Sequence, residues 1–175
     1  MADWVTGVIA GVSGIAGGAA TQWFTLIKES RVSKKARFRD MQYIGVHLIL
    51  RLTEFSAQCR EISEDRGKED TSLMTGNKSM VNSVTFSPLI LDDIQGKWDA
   101  LPAELLFRIR ELPLIHAKIQ QSLSNQYPLL YDPPDHVEYF SRRREIYRNQ
   151  TREVEEMIRK LRKLCQLPEK HDIDE

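Results

Sequence analysis

Cysteine is nearly absent. Cys59 and Cys165 are the only two in 175 residues, far apart and in no metal-ligand spacing. Such sparse usage speaks against a disulfide-stapled secreted fold and for a reducing compartment, so free thiols are preferred over a Cys59–Cys165 bridge. Net charge is absent as well: 25 Lys and Arg face 25 Asp and Glu, which excludes a globally basic nucleic-acid binder. No P-loop, GxGxxG, GxSxG or HExxH occurs, so the motifs of the common nucleotide, hydrolase and zinc-peptidase sites are missing.

Charge is also missing locally. From Trp4 to Ile27 there are 24 uncharged residues, bounded by Asp3 and Lys28. As a helix rising about 1.5 Å per residue they span about 36 Å, against a bilayer hydrocarbon core of about 30 Å. Trp4 and Trp23 stand about 28 Å apart on the same helix, the separation of interfacial aromatic anchors. The segment contains five glycines, each costing about 1 kcal/mol relative to Ala in a helix interior. Gly7, Gly11, Gly14, Gly18, Thr21 and Thr25 recur at spacings of 4, 3, 4, 3 and 4. That keeps them on one narrow stripe, with Gln22 at its flank. Gly7–Gly11 and Gly14–Gly18 are small-xxx-small pairs, the pattern that lets membrane helices approach closely. The expectation is a single transmembrane helix over residues 1–27 that self-associates through this stripe.

Rival readings fit less well. A cleavable signal peptide begins with a basic region and has a shorter apolar core, whereas this chain begins "MAD". A helix lying on the membrane surface needs a charged face, and this one has none. A helix buried in a soluble core is the competing reading, since glycine also serves close packing there.

The basic segment 28–40 carries Lys28, Arg31, Lys34, Lys35, Arg37 and Arg39 against Glu29 and Asp40. The positive-inside rule places the side after the span in the cytoplasm, giving a single-pass protein of the inner (cytoplasmic) membrane. With Trp4 and Trp23, these cations are the expected membrane-interface residues. They could grip anionic headgroups, worth about 1 kcal/mol each near the surface. No nucleic-acid partner is expected, because the topogenic role accounts for the run.

Residues 41–168 read as a helical domain, and 169–175 as a disordered tail. Met41, Ile44, Leu48, Leu52, Phe55, Cys59 and Ile62 recur at 3 and 4, predicting a helix to about Arg66 that continues unbroken from the span. Val46, Ile49 and Leu50 are expected to widen its apolar face. "EDRGKEDTSLMTGNKSMVNS" reads as loop, with "SMVNSVTF" the nearest strand candidate. Asp99 is a helix-cap candidate, Pro102 sits near a first turn, and Pro113 should end or kink that helix, with another over 114–125. Asp135, with Glu138 three residues on, is expected to cap a long helix. Phe140, Tyr147, Thr151, Val154, Ile158, Leu161 and Cys165 form its heptad-like seam. The fold class is therefore all-α: two long antiparallel helices, 41–66 and 136–166, closed by short ones. Cys59 and Cys165 fall on their apolar seams as small core residues.

No constellation persuades as a catalytic, cofactor or metal site. His47, His116, His136 and His171 are scattered. Asp132, Asp135, His136 and Glu138 in "DPPDHVE" are explained by capping and turn formation, and Asp92–Asp93 are mere sequence neighbours on a loop. "SRRRE" (141–145) reads as a solvated helix face, with phosphate or lipid binding as the minority alternative.

In layout, and most in "KWDALPAELLFRIRELP", the chain resembles a group of small uncharacterised bacterial membrane proteins with a glycine-rich N-terminal span and a cytoplasmic helical domain. The resemblance implies membrane anchoring and assigns no residue a role. The expected function is a non-enzymatic, membrane-anchored scaffold that binds the bilayer, assembles as a homo-oligomer and presents its domain to a protein partner. The alternatives are a membrane-disrupting effector of toxin, holin or phage-defence type and, less favoured, a membrane-tethered hydrolase.

Overall fold

The computed structural model describes the backbone of residues 3–70, 79–126 and 136–168, and side chains at 31–69, 80–126 and 136–168. In chain order the elements are α1 (Asp3–Glu64), β1 (Lys68–Asp70), β2 (Ser79–Val81), a 3-10 turn (Trp98–Ala100), α2 (Ala103–Gln126) and α3 (Val137–Leu164). The protein is mostly helical. It divides into two units, Met1–Asp40 and Met41–Glu175. The first consists of the N-terminal part of α1; the second holds the core.

In the second unit the two seams read from the sequence face the core, Met41 and Ile158 being only partly buried. Ile44, Leu48, Leu52, Phe55, Cys59 and Ile62 of α1 are all at most 2% exposed, and Phe140, Tyr147, Thr151, Val154, Leu161 and Cys165 are buried on the other side. The two helices are antiparallel. Gln42 Nε2 donates to the Cys165 carbonyl at 3.0 Å, while at the other end Asp65 pairs with Arg143. Gly45 marks the closest approach: a Cβ there would lie 2.3 Å from Cys165 Sγ. That thiol in turn donates to the Met41 carbonyl, so the end of α3 is tied to α1 by three neighbouring residues.

α2 completes a three-helix bundle, running antiparallel to α3. Arg108 meets Glu156 at 3.9 Å, and Gln120 donates to the Tyr147 hydroxyl. Between α1 and α2 the chain lays an extended strap antiparallel to α1. Ser83 and Val84 bond to Asp65, Ser87 to Gln58, and Asp93 to Arg51; Gly96 then lies against Ile44 and Tyr43. Leu89 and Leu91 are buried from this strap, and Phe86 stacks on His116.

Several expectations need correction. Pro113 does not divide its helix: α2 runs through it from Ala103 to Gln126. The proline costs one helical hydrogen bond, but Leu105, Ile109, Leu112, His116 and Leu123 are buried on both sides of it, and their common burial holds the two halves in one helix. Pro102 is the residue before α2, its carbonyl accepting the Leu106 N–H at 3.0 Å. Asp99 does not stand at a helix-cap position: it lies inside the 3-10 turn, whose preceding residue is Lys97. Before α3 stands His136, in a left-handed conformation with φ 46° and accepting the Phe140 N–H; Asp135 lies outside the described residues.

The region read as loop contains a two-stranded antiparallel ladder pairing Lys68 with Val81 and Asp70 with Ser79. Strands of three residues are too short to show alternation. Val46 and Leu50 do not extend the buried face of α1: they are 40% and 59% exposed, and only Ile49 is buried. Among the described residues no helix is long and apolar enough to cross a membrane. The expectations at Trp4, Gly7, Gly11, Gly14, Gly18, Thr21, Gln22, Trp23, Thr25 and Lys28 concern side chains outside the described residues, as does the tail from 169.

Candidate interaction surfaces

Two buried charged groups, Asp65 and Arg143, are occupied with holding the fold. Asp65, just beyond α1, accepts from Gly67 N, from the Ser83 hydroxyl and backbone, from Val84 N and from Arg143 at 2.6 Å. Burial alone would push its carboxyl up; the hydrogen bonds from Ser83, Gly67, Arg143 and Val84 outweigh that and bring its pKa down to about 2. Arg143 spends its other nitrogen on the Val84 carbonyl. The pair is a clamp that gathers the α1 end, the strap and α3, and with both partners satisfied it offers nothing to a ligand. Sequence reading missed it by assigning the whole "SRRRE" run to solvent. One signal was available: residue 143 fills the vacant step between Phe140 and Tyr147 in the seam.

A second interior cluster surrounds His116. Phe86 lies 3.7 Å away centroid to centroid, Phe55 at 5.6 Å and Tyr147 at 6.0 Å. Burial pushes the imidazole down to about 4, and its Nδ1 finds no hydrogen-bond partner among the described residues. A neutral imidazole in an aromatic box serves as packing. Burial likewise raises the Cys59 thiol to about 12 and keeps it inert, and both cysteines are free.

The other residues singled out for chemistry separate. Asp92 pairs with Arg110 and Asp93 with Arg51, so the two carboxylates serve different helices. His47 is exposed and packs edge-on against Tyr43 at 4.8 Å. Among the described residues no three His, Cys, Asp or Glu converge on a metal position; Asp132, Asp135 and His171 lie outside those residues.

Large hydrophobics are exposed at Phe107, Leu114 and Val137 and, clustered beside a depression, on an outward face of α1. Tyr43 is 56% exposed, Val46 40% and Leu50 59%. At 100° per residue, Val46 and Leu50 stand about 200° round the helix from the buried Ile44 and Leu48. Beside them a depression of about 390 Å³ is lined by Tyr43, His47, Leu50, Arg51, Asp93 and Ile94, among others. Ile90 of the strap, 59% exposed, borders the adjoining hollow. Leu50 and Ile94 line this depression together with the Arg51–Asp93 ion pair, and such a mixture of apolar and charged surface suits a protein contact.

On the first unit the described surface is basic. Arg31, Lys34, Lys35, Arg37 and Arg39 are all exposed, and Phe38 is half-buried among them. A shallow depression of about 520 Å³ is lined by Lys34, Lys35, Phe38 and Arg39. A scan against protein-family models and searches of curated proteins and of solved structures find no match to this chain.

Proposed function

We propose that the protein is a non-enzymatic, membrane-anchored interaction protein that self-associates through the glycine stripe of its N-terminal span and presents the helical domain to a protein partner in the cytoplasm. The observation that carries the interaction role is the outward face of α1: a domain that buries its two seams leaves Tyr43, Val46 and Leu50 in solvent. The anchor rests on the uncharged run from Trp4 to Ile27, on its length, and on the basic residues that follow it. Glycines are poor helix formers, and their cost is offset where backbones pack closely. The non-catalytic reading is supported by the employment of Asp65, Asp92, Asp93 and His116 in ion pairs and packing.

Crosslinking in membranes tests the assembly. Gly11→Leu and Gly14→Leu place a bulky side chain where two backbones would meet, yet raise hydrophobicity, so insertion should hold while self-association falls. Val12→Leu, on the other side of the wheel, should change neither. Equal effects at Gly14 and Val12, or none at either, would contradict the stripe as a contact. A membrane-potential dye applied to cells expressing the chain should report no leak; collapse of the potential would turn the reading to a membrane-disrupting effector.

A further inference from the structure

We infer that the basic run on α1 seats anionic phospholipid headgroups of the phosphatidylglycerol type. Its placement at a bilayer rests on the membrane-anchor reading. Arg31, Lys34, Lys35, Arg37 and Arg39 are exposed, and residues 30 to 39 contain no Asp or Glu. On the helix, Arg31, Lys34 and Lys35 fall within about 60° of Phe38, so three cations share one face with the aromatic ring. At about 1.5 Å per residue they lie about 6 to 12 Å beyond Ile27. That is the headgroup zone plus a Debye length of about 8 Å, where a cation still feels lipid phosphate. The surface is convex and open, with a shallow depression lined by Lys34, Lys35, Phe38 and Arg39. Such a form suits a sheet of phosphates rather than one enclosed small anion. The cations supply the charge preference, reaching the lipid phosphates on their flexible methylene stems.

The test uses the full chain reconstituted in vesicles of phosphatidylcholine and phosphatidylglycerol in equal parts, released in neutral detergent, with the retained lipid counted by mass spectrometry. Phosphatidylglycerol should be enriched at least about fivefold, the ratio corresponding to one engaged cation. The triple variant Arg31→Gln/Lys34→Gln/Lys35→Gln should return the ratio to equality, and Phe38→Ala, which removes no charge, should keep the preference. Lys118→Gln/Lys163→Gln, exposed lysines of the other unit, should behave as wild type. Equal retention by the wild-type chain, or an enrichment that survives in the triple variant, would overturn the inference. Alkaline carbonate extraction separates the two readings. If the chain is released, the anchor fails, and the inference then stands only if the chain floats with phosphatidylglycerol vesicles in low salt and not with phosphatidylcholine; binding to neither overturns it as well. Retention of a single-stranded RNA oligonucleotide, lost in the triple variant and unaccompanied by lipid enrichment, would assign the run to nucleic acid and end the lipid proposal.

Discussion

Asp65 and Arg143, 78 positions apart, form an ion pair at 2.6 Å whose side chains are 1% and 6% exposed. A buried pair is often replaceable by apolar residues at little cost. This one is not, because Asp65 also satisfies the backbone N–H groups of Gly67, Ser83 and Val84. Arg143→Met should therefore cost about 3–5 kcal/mol by stranding a carboxylate. Asp65→Leu/Arg143→Met should recover little of it, since three donors stay orphaned. Urea unfolding of residues 41–168 measures both, and a double variant close to wild type would refute the clamp.

That experiment presumes an independent domain. The second unit begins at Met41 and contains the whole described core, so residues 41–168 expressed alone should be soluble and mostly helical. A circular dichroism spectrum dominated by strand would overturn the fold.

Gly45 faces Cys165 with no room for a methyl group. Gly45→Ala should destabilise the domain by about 1–3 kcal/mol through overpacking, read as a lowered thermal midpoint. Adding Cys165→Ala should restore part of the loss by removing the sulfur. Additive losses in the double variant would show that the contact does not limit packing.

Acid should act in two stages. His116 is held at about 4 against an ordinary 6.5, so the unfolded chain binds the extra proton between those values. Stability should fall as pH drops from about 6.5 to about 4, by up to about 3 kcal/mol. Asp65 is held at about 2 against 3.8, so its contribution is intact above about pH 4 and disappears as pH falls toward 2. Denaturation midpoints across pH 7 to 4 in wild type and His116→Phe separate the stages. The variant should be flatter over the upper window, and an unchanged slope would contradict the assignment.

The long seams were legible because a 3-and-4 spacing sustained over many turns can only bury one face of a helix. Ile44 to Ile62 and, apart from the partly buried Ile158, Phe140 to Cys165 behave as their spacing implies. The clamp was hidden because Arg143 sits in a run of three arginines, and a charge run ordinarily marks a solvated face. Its partner comes from the end of another helix, a pairing no local pattern encodes. The continuity of α2 through Pro113 was illegible for a related reason: local proline chemistry predicts a break, and tertiary burial on both sides overrides it. The strap, with Phe86, Leu89 and Leu91 as its plugs, follows no period and emerges only once the α1–α2 groove exists.

Leu50→Glu should leave the domain's stability within about 0.5 kcal/mol, because the side chain is already in solvent. The same change should abolish capture of the partner that uses this face, read by site-specific photocrosslinking from position 46. Loss of folding instead of capture would show Leu50 to be a packing residue.

The central claim, that the chain is anchored in a membrane by its first 27 residues, is tested most directly by fractionating cells that express it and washing the membranes in alkaline carbonate. The full-length chain should remain in the membrane pellet, with its C-terminal domain open to protease only after the cells are broken. Recovery of the intact chain in the soluble fraction would contradict the anchor and leave α1 as a helix buried in a soluble assembly.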